Sequence, residues 1–354
     1  MARFDQAYTA TDKRLKEMEK QIRKEYGQAI KEVEGKLEDY MRRYEIKDEK
    51  WRAWVKEGKK TEAQYRQWRM GQIAMSKRWS DMRDKLAKVY VNADRAAYAY
   101  INKNVAWIYA ENYNFSTYQI EKTLNVDTSF LLYDEGAVMR LMADDPEMLP
   151  PPSRTKEKEI QEGKLERWNK QKMQSVMVQG IIQGSSVIEI AKNMAEKVGE
   201  MDLNSAIRNA RTMTTAAQNA GRVDSYKRAA SMGIELQQRW VAVLDDRTRH
   251  AHREMDGQTV DVGKPFKYEN YELRFPSDPF APAFLVYNCR CCVNPVLKGF
   301  AYDHTDLSLR NTTHMTQQTY EEWKKAKPKY KPIDEPIKTA NRMKAKYVKE
   351  YRTL

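Results

Sequence analysis

Cysteine is nearly absent: the 354-residue chain has three, all within Cys289-Arg290-Cys291-Cys292. Thiols packed this closely cannot staple distant segments, which excludes a disulfide scaffold and leads us to expect folding in a reducing cytoplasm. Glycine (14) and proline (12) are also scarce, which argues against low-complexity or collagen-like architectures. No apolar run approaches the roughly 18 residues needed to cross a bilayer. The opening MARFDQAYTATDKR lacks an apolar h-region, so neither membrane insertion nor Sec export is expected. The sequence also has no Gly-rich phosphate loop, no Gly-x-Ser-x-Gly and no His-Glu-x-x-His. What remains is 41% hydrophobic and 32% charged, rich in Met, Lys, Glu and Ala. That composition forms helices and supplies a core.

The net charge of +13 is unevenly placed. Residues 1–112 hold 26 basic against 18 acidic side chains, residues 298–354 hold 13 against 7, and the middle is close to neutral. Basic ends on a neutral centre suit a polyanionic neighbour, although Lys-rich helical faces can also simply be solvated.

Apolar side chains from Leu15 through Ile22, Val33 and Leu37 to Tyr44 recur every three or four residues, as does a second series from Tyr65 to Ile108. Each spacing lays one stripe along a helix. Between them Thr61-Glu-Ala-Gln64 has the form of a capping box. The expectation is a long N-terminal helical hairpin over 1–112, with its many aromatics filling a core or an interface. A connecting region, 113–152, follows. It has a helix start at Ser116, a helix over 134–143 and a break at Pro150-Pro151-Pro152. Residues 153–297 read as helices followed by short strands: a helix from Ser186 ended by Gly199, a long helix opened near Asp202 or Asn204, then strands at 237–244, 259–262, 272–275 and 283–287. Residues 298–354 read as a basic tail. The fold class is α+β, predominantly helical, with a small irregular β-containing C-terminal domain.

Residues 205–293 carry an ordered series of short motifs. Ala206-Ile-Arg-Asn-Ala-Arg211-Thr212 and Asn219-Ala-Gly-Arg222 share the long helix. Trp240, Asp245-Asp246-Arg247-Thr-Arg249, His252, Asp256-Gly257-Gln258, Phe275-Pro276 and Asn288-Cys289-Arg290-Cys291 follow. In this order the set resembles the phage Mu F-like minor head protein family, also called the head morphogenesis family. The resemblance implies a virion protein inside a tailed-phage capsid near the portal vertex, made in the host cytoplasm. It further implies a role in head morphogenesis, DNA packaging or ejection. The partners implied are the portal protein, other head proteins and viral DNA bound without sequence preference, with no membrane. No enzymatic activity is expected on this reading. Two alternatives are a metal-dependent nucleic-acid-processing enzyme and a DNA-binding packaging accessory not retained in the particle.

The chemistry of the motif residues supports more than one reading. His252, Cys289 and Cys291 offer three ligands suited to Zn²⁺, with His250, Asp246 or Cys292 as candidate fourth ligands. In the family that the chain resembles, positions 249 and 252 can both be cysteine, whereas this chain has Arg249. Without a metal, the thiols are small core hydrophobes and His252 bonds a nearby loop. Arg247, Arg249 and Arg290 suit either phosphate or a lock onto the Asp245-Asp246 turn, and the adjacent acids favour the lock. Arg211 and Arg222, on one helical face, are expected to tie the long helix to the sheet.

Overall fold

The computed structural model describes residues 5–124, 128–144, 159–160, 162–297 and 319–329. Helix α1 spans Gln6–Lys56 and α2 spans Glu62–Arg69, running into a π-turn at Met70–Ala74. Then come α3 (Lys77–Leu124), α4 (Glu135–Asp144), α5 (Lys164–Ile182) and α6 (Val187–Ser231). The remaining elements are β1 (Leu236–Val241), α7 (His250–Glu254), β2 (Thr259–Asp261), β3 (Phe266–Tyr268), β4 (Tyr271–Leu273), α8 (Ala283–Val286), β5 (Cys292–Leu297) and α9 (Tyr320–Ala326). The architecture is predominantly helical with small antiparallel sheets, as the composition indicates.

Several local expectations change. The second N-terminal stripe is not one helix. The α2 segment starts at the Thr61–Gln64 capping box, but the π-turn breaks the helix and leaves Met75 65% exposed. Ser76 Oγ then accepts the Trp79 amide to restart it. Ser116 starts nothing: α3 runs straight through it, and the Thr117 hydroxyl satisfies itself on Tyr113 O (2.9 Å). Gly199 does not end a helix, nor do Asp202 or Asn204 open one, because α6 continues across all three. A Cβ at position 199 would come within 2.3 Å of Ile30 Cγ1, so this glycine serves close helix packing. Residues 283–286 form a short helix where a strand was expected. The Cys289–Cys291 stretch is coil, and β5 begins only at Cys292. The Pro150–Pro152 break lies outside the described residues.

The chain forms two compact units, each assembled from discontinuous segments, and α1, α3 and α6 contribute to both. One unit comprises residues 13–103 and 152–211. Its core takes Ile22, Tyr26 and Leu37 from α1, Trp79 and Tyr90 from α3, and Met173 and Met194 from α5 and α6. Buried polar atoms find fixed partners there: Tyr90 Oη donates to Ala195 O (2.8 Å), and Trp79 Nε1 to Gln174 Oε1 (2.7 Å).

The other unit comprises 1–12, 104–151 and 212–354, so far as these are described. Strands pair antiparallel in the order β2-β1-β5, with Trp240 opposite Val293, and β3 pairs with β4. Gly233, at φ +86, ends α6 with Ile234 N on Ala229 O and Gly233 N on Ala230 O. This is the left-handed cap that only glycine adopts without strain. Helix α9 buries Tyr320 and Trp323 in a cluster with Ala7, Phe115, Tyr118 and Leu132.

Candidate functional site

The second half of α6 presents polar residues at positions 212, 215, 219 and 222, one helical face of an otherwise apolar surface. Each bonds the backbone of the loop leading into β5 or of β5 itself. Thr212 Oγ1 accepts the Asn288 amide (3.2 Å), and Thr215 Oγ1 donates to Cys289 O (2.6 Å). Asn219 Nδ2 donates to Cys291 O (3.0 Å) while its Oδ1 accepts the Val293 amide (2.9 Å). Buried donors and acceptors must be paired, so these side chains fix the loop's path. Sequence reasoning noticed the Asn219–Arg222 motif but assigned no role to Thr215 or Asn219. The available signal was their spacing: polar residues three and four apart on a face that is otherwise Ala, Met and Val.

Arg222 is wholly buried in this unit. Its Nη2 donates to Asp5 Oδ1 (2.7 Å), its Nε to Asn112 Oδ1 (3.1 Å) and its Nη1 to Val293 O (3.4 Å). Burial disfavours its charge, but Asp5 more than compensates and holds its pKa above the ordinary arginine value. Arg222 thus does tie α6 to β5. Arg211 does not: it pairs with Glu19 on α1 at 2.6 Å.

On the other side of the loop, Arg290 grips Asp245 with both guanidinium nitrogens at 2.6 Å. Asp245 also accepts the Arg247 amide (3.1 Å) and the Thr248 hydroxyl (3.0 Å). Arg290 first, then Thr248, hold this carboxyl far below the usual carboxylate range. Arg249 donates to the carbonyls of Phe284 and Tyr287, clamping α8 and the turn after it. Arg247 is 81% exposed and reaches Asp245 only at 3.9 Å. Asp256 Oδ1 caps the end of β1 by accepting the Ala242 amide (2.8 Å), and Gly257 supplies the left-handed turn at φ +81. Asn288 adopts φ +54, a conformation asparagine tolerates, where the chain turns into the cysteine loop.

His252, Cys289 and Cys291 converge, all buried, with their donor atoms within 4.8 Å of one another. His252 Nδ1 lies 3.2 Å from Cys291 Sγ and 3.5 Å from Cys289 Sγ, and Nε2 lies 2.9 Å from Leu285 O. Trp240 packs edge-on against the His252 ring at 5.9 Å. Burial pushes the Cys289 thiol up, but the Cys291 thiol and the His252 ring overcome this and hold it well below the ordinary thiol value. Cys291 is pushed the other way, by its bond to Cys289 and then by burial. His250 and Asp246 do not join the cluster. His250 is 81% exposed and pairs with Glu254 at 3.2 Å, and Asp246 is exposed on its turn. Cys292 is buried on β5 with its Sγ toward Asn294.

Residues 171–294, which include nearly all of these contacts, match the model of the family described as Phage Mu protein F like protein. Three curated relatives match parts of this chain. The minor head protein GP7 of Bacillus phage SPP1 is 27% identical over 64% of this chain and 71% of its own length. The NAD(+)-arginine ADP-ribosyltransferase EFV of Enterococcus faecalis is 29% identical over 45% of this chain. An uncharacterized protein of Haemophilus influenzae is 26% identical over 42%. The match spans 34% of the transferase and 28% of the Haemophilus protein. No solved structure matches significantly. Residues 171–294 of the chain are thus similar to the Phage Mu protein F like family, and a longer stretch is similar to a phage minor head protein.

Proposed function

We propose that this chain is a non-enzymatic component of a tailed-phage head that docks at the portal and assists DNA packaging or ejection. The observation that carries the reading is the alignment with a phage minor head protein over most of both chains. In this reading residues 153–297 supply the family domain. The helical residues before 113 supply the docking surface, and the basic excess at the two ends meets DNA without sequence preference. The motif arginines support a structural role. Arg222, Arg249 and Arg290 are each spent on carboxylates or carbonyls of the chain itself. An arginine so engaged has little left to offer a phosphate. The buried His252, Cys289 and Cys291 then serve the stability of the domain, and a zinc ion among them would be a structural one.

Co-sedimentation of the purified chain with empty heads tests the docking. Retention by portal-bearing heads, and loss with heads lacking the portal, is expected. Equal retention on both would contradict portal docking. The similarity to a transferase calls for a second assay. Incubation with labelled NAD⁺ and arginine-containing protein should transfer no label, nor should DNA be cut when divalent metal is added. Activity in either, abolished in a folded His252→Ala variant, would overturn the non-enzymatic reading.

A further inference from the structure

We propose that His252, Cys289 and Cys291 form a three-ligand Zn²⁺ site, closed by a single water or small anion, that bridges α7 to the loop before β5. The inference stands on the cluster itself and does not depend on a role in phage heads. Its first support is the orientation of the imidazole. His252 Nε2 is 2.9 Å from the Leu285 carbonyl, which can only accept. Nε2 is therefore the nitrogen that donates to protein, and Nδ1 is the one that faces both sulfurs and would ligate an ion held between them. Metal-bound histidines use this arrangement: an outer carbonyl takes the N–H and leaves the other nitrogen for the ion.

The second support is spacing. Tetrahedral Zn²⁺, with bonds of about 2.3 Å to sulfur and about 2.0 Å to nitrogen, sets the N and S ligands about 3.5 Å apart. The observed Nδ1–Sγ separations are 3.2 and 3.5 Å. Two thiolates and an imidazole suit a borderline-soft ion and not Mg²⁺ or Ca²⁺, which take oxygen. Third, a cavity of about 20 Å³ opens on the cluster, lined by His252, both cysteines, Asn288, Arg249 and Arg290 among others. That volume admits one water, a fourth ligand that no residue among the described ones provides. Fourth, the Trp240 indole N–H is fully buried beside His252, and the acceptor within its reach is the Cys291 sulfur. A buried donor of this kind needs an acceptor, and a ligating thiolate nearby is one.

The test is made on the full chain, purified under reducing conditions without chelator and then loaded with Zn²⁺ or Co²⁺. Elemental analysis should find about one Zn²⁺ per chain, with melting lowered by chelation as expected when binding contributes folding free energy. The Co²⁺ form should show thiolate-to-metal charge-transfer absorption. His252→Ala and Cys291→Ser should each cost more than the roughly 10–100-fold in affinity that loss of an outer-shell partner causes. Cys292→Ser should keep both stoichiometry and absorption, which separates ligation from general damage to the fold. Two results would overturn the proposal: a folded chain that takes up no Zn²⁺ and gives no charge-transfer band, or metal retained undiminished after His252→Ala. Neither result bears on whether the chain is found in phage heads, which incorporation reports separately.

Discussion

Single residues hold the cysteine loop from two sides. On the α6 side Arg222 is a buried charge whose partners are Asp5, Asn112 and β5. Breaking such a pair from one end strands the other charge, so Arg222→Ala should lose about 3–5 kcal/mol of stability, read as a denaturant midpoint shift. A loss below 1 kcal/mol would mean that Asp5 finds water. On the other side the Arg290–Asp245 pair sets an acid dependence. Asp245 titrates lower in the folded chain than in the unfolded one. Its contribution is therefore complete above the unfolded value near 3.9 and fades as pH falls through the range beneath it. The melting difference between the natural chain and Asp245→Asn should be steady from neutrality to about pH 4 and shrink below that. A difference that persists unchanged through the acid range would show that Asp245 acts without its charge.

At the scale of elements, glycine placement separates packing from punctuation. A Cβ at Gly221 would meet Tyr109 O at 2.4 Å and the Tyr113 amide at 3.2 Å, both backbone atoms that cannot step aside. Gly27, in α1, has nothing within 4 Å. Gly27→Ala should accordingly stabilise by about 0.5–1 kcal/mol, the ordinary helical gain. Gly221→Ala should instead destabilise by about 1–3 kcal/mol, as overpacking does. Thermal melts of the two variants shifting in the same direction would refute this assignment. The same contrast shows what was legible in the sequence. The α1 stripe was plain, because Met18, Ile22, Val33 and Leu37 all bury on one face. Capping boxes at Thr61 and Ser186 were plain too, since their chemistry is local. Gly199 misled because a helix-ending glycine and one admitting a neighbouring Ile30 side chain look alike until the neighbour is known. The helix at 283–286 was hidden for a similar reason: Ala-Phe-Leu-Val is strand-like by propensity, and four residues are too few for a period to speak.

Across the whole molecule, contacts distant in sequence were the least legible. The basic C-terminal stretch contains a docked segment. Trp323 Nε1 donates to Glu121 (2.6 Å), Lys327 pairs with the same carboxylate (2.7 Å), and Leu132 N bonds Pro328 O (2.9 Å). Lys324 and Lys327 are thus partly neutralised by Glu111 and Glu121, which charge counting along the chain could not foresee. Trp323→Ala should cost about 3–5 kcal/mol, the range for a buried aromatic removed from a core. For the same reason, less of the +13 is available to the DNA proposed as a partner than the sequence suggests. Affinity should still fall steeply between about 50 and 200 mM salt, as release of counterions from phosphate requires. The cysteine site was partly legible. The sequence named His252, Cys289 and Cys291, and the fold brings them together. His250 and Asp246 are near in sequence but face solvent: His250 lies on the outer face of the short α7, and Asp246 is exposed on the turn before it.

The place of this chain in a phage head is tested most directly by counting it in the particle. In a phage made to express this chain in place of its own minor head protein, purified DNA-filled heads analysed by quantitative mass spectrometry against the portal protein should contain a few copies each. Those copies should be lost when the portal is absent. Heads that carry none, while the chain is abundant in the infected cell, would contradict the account.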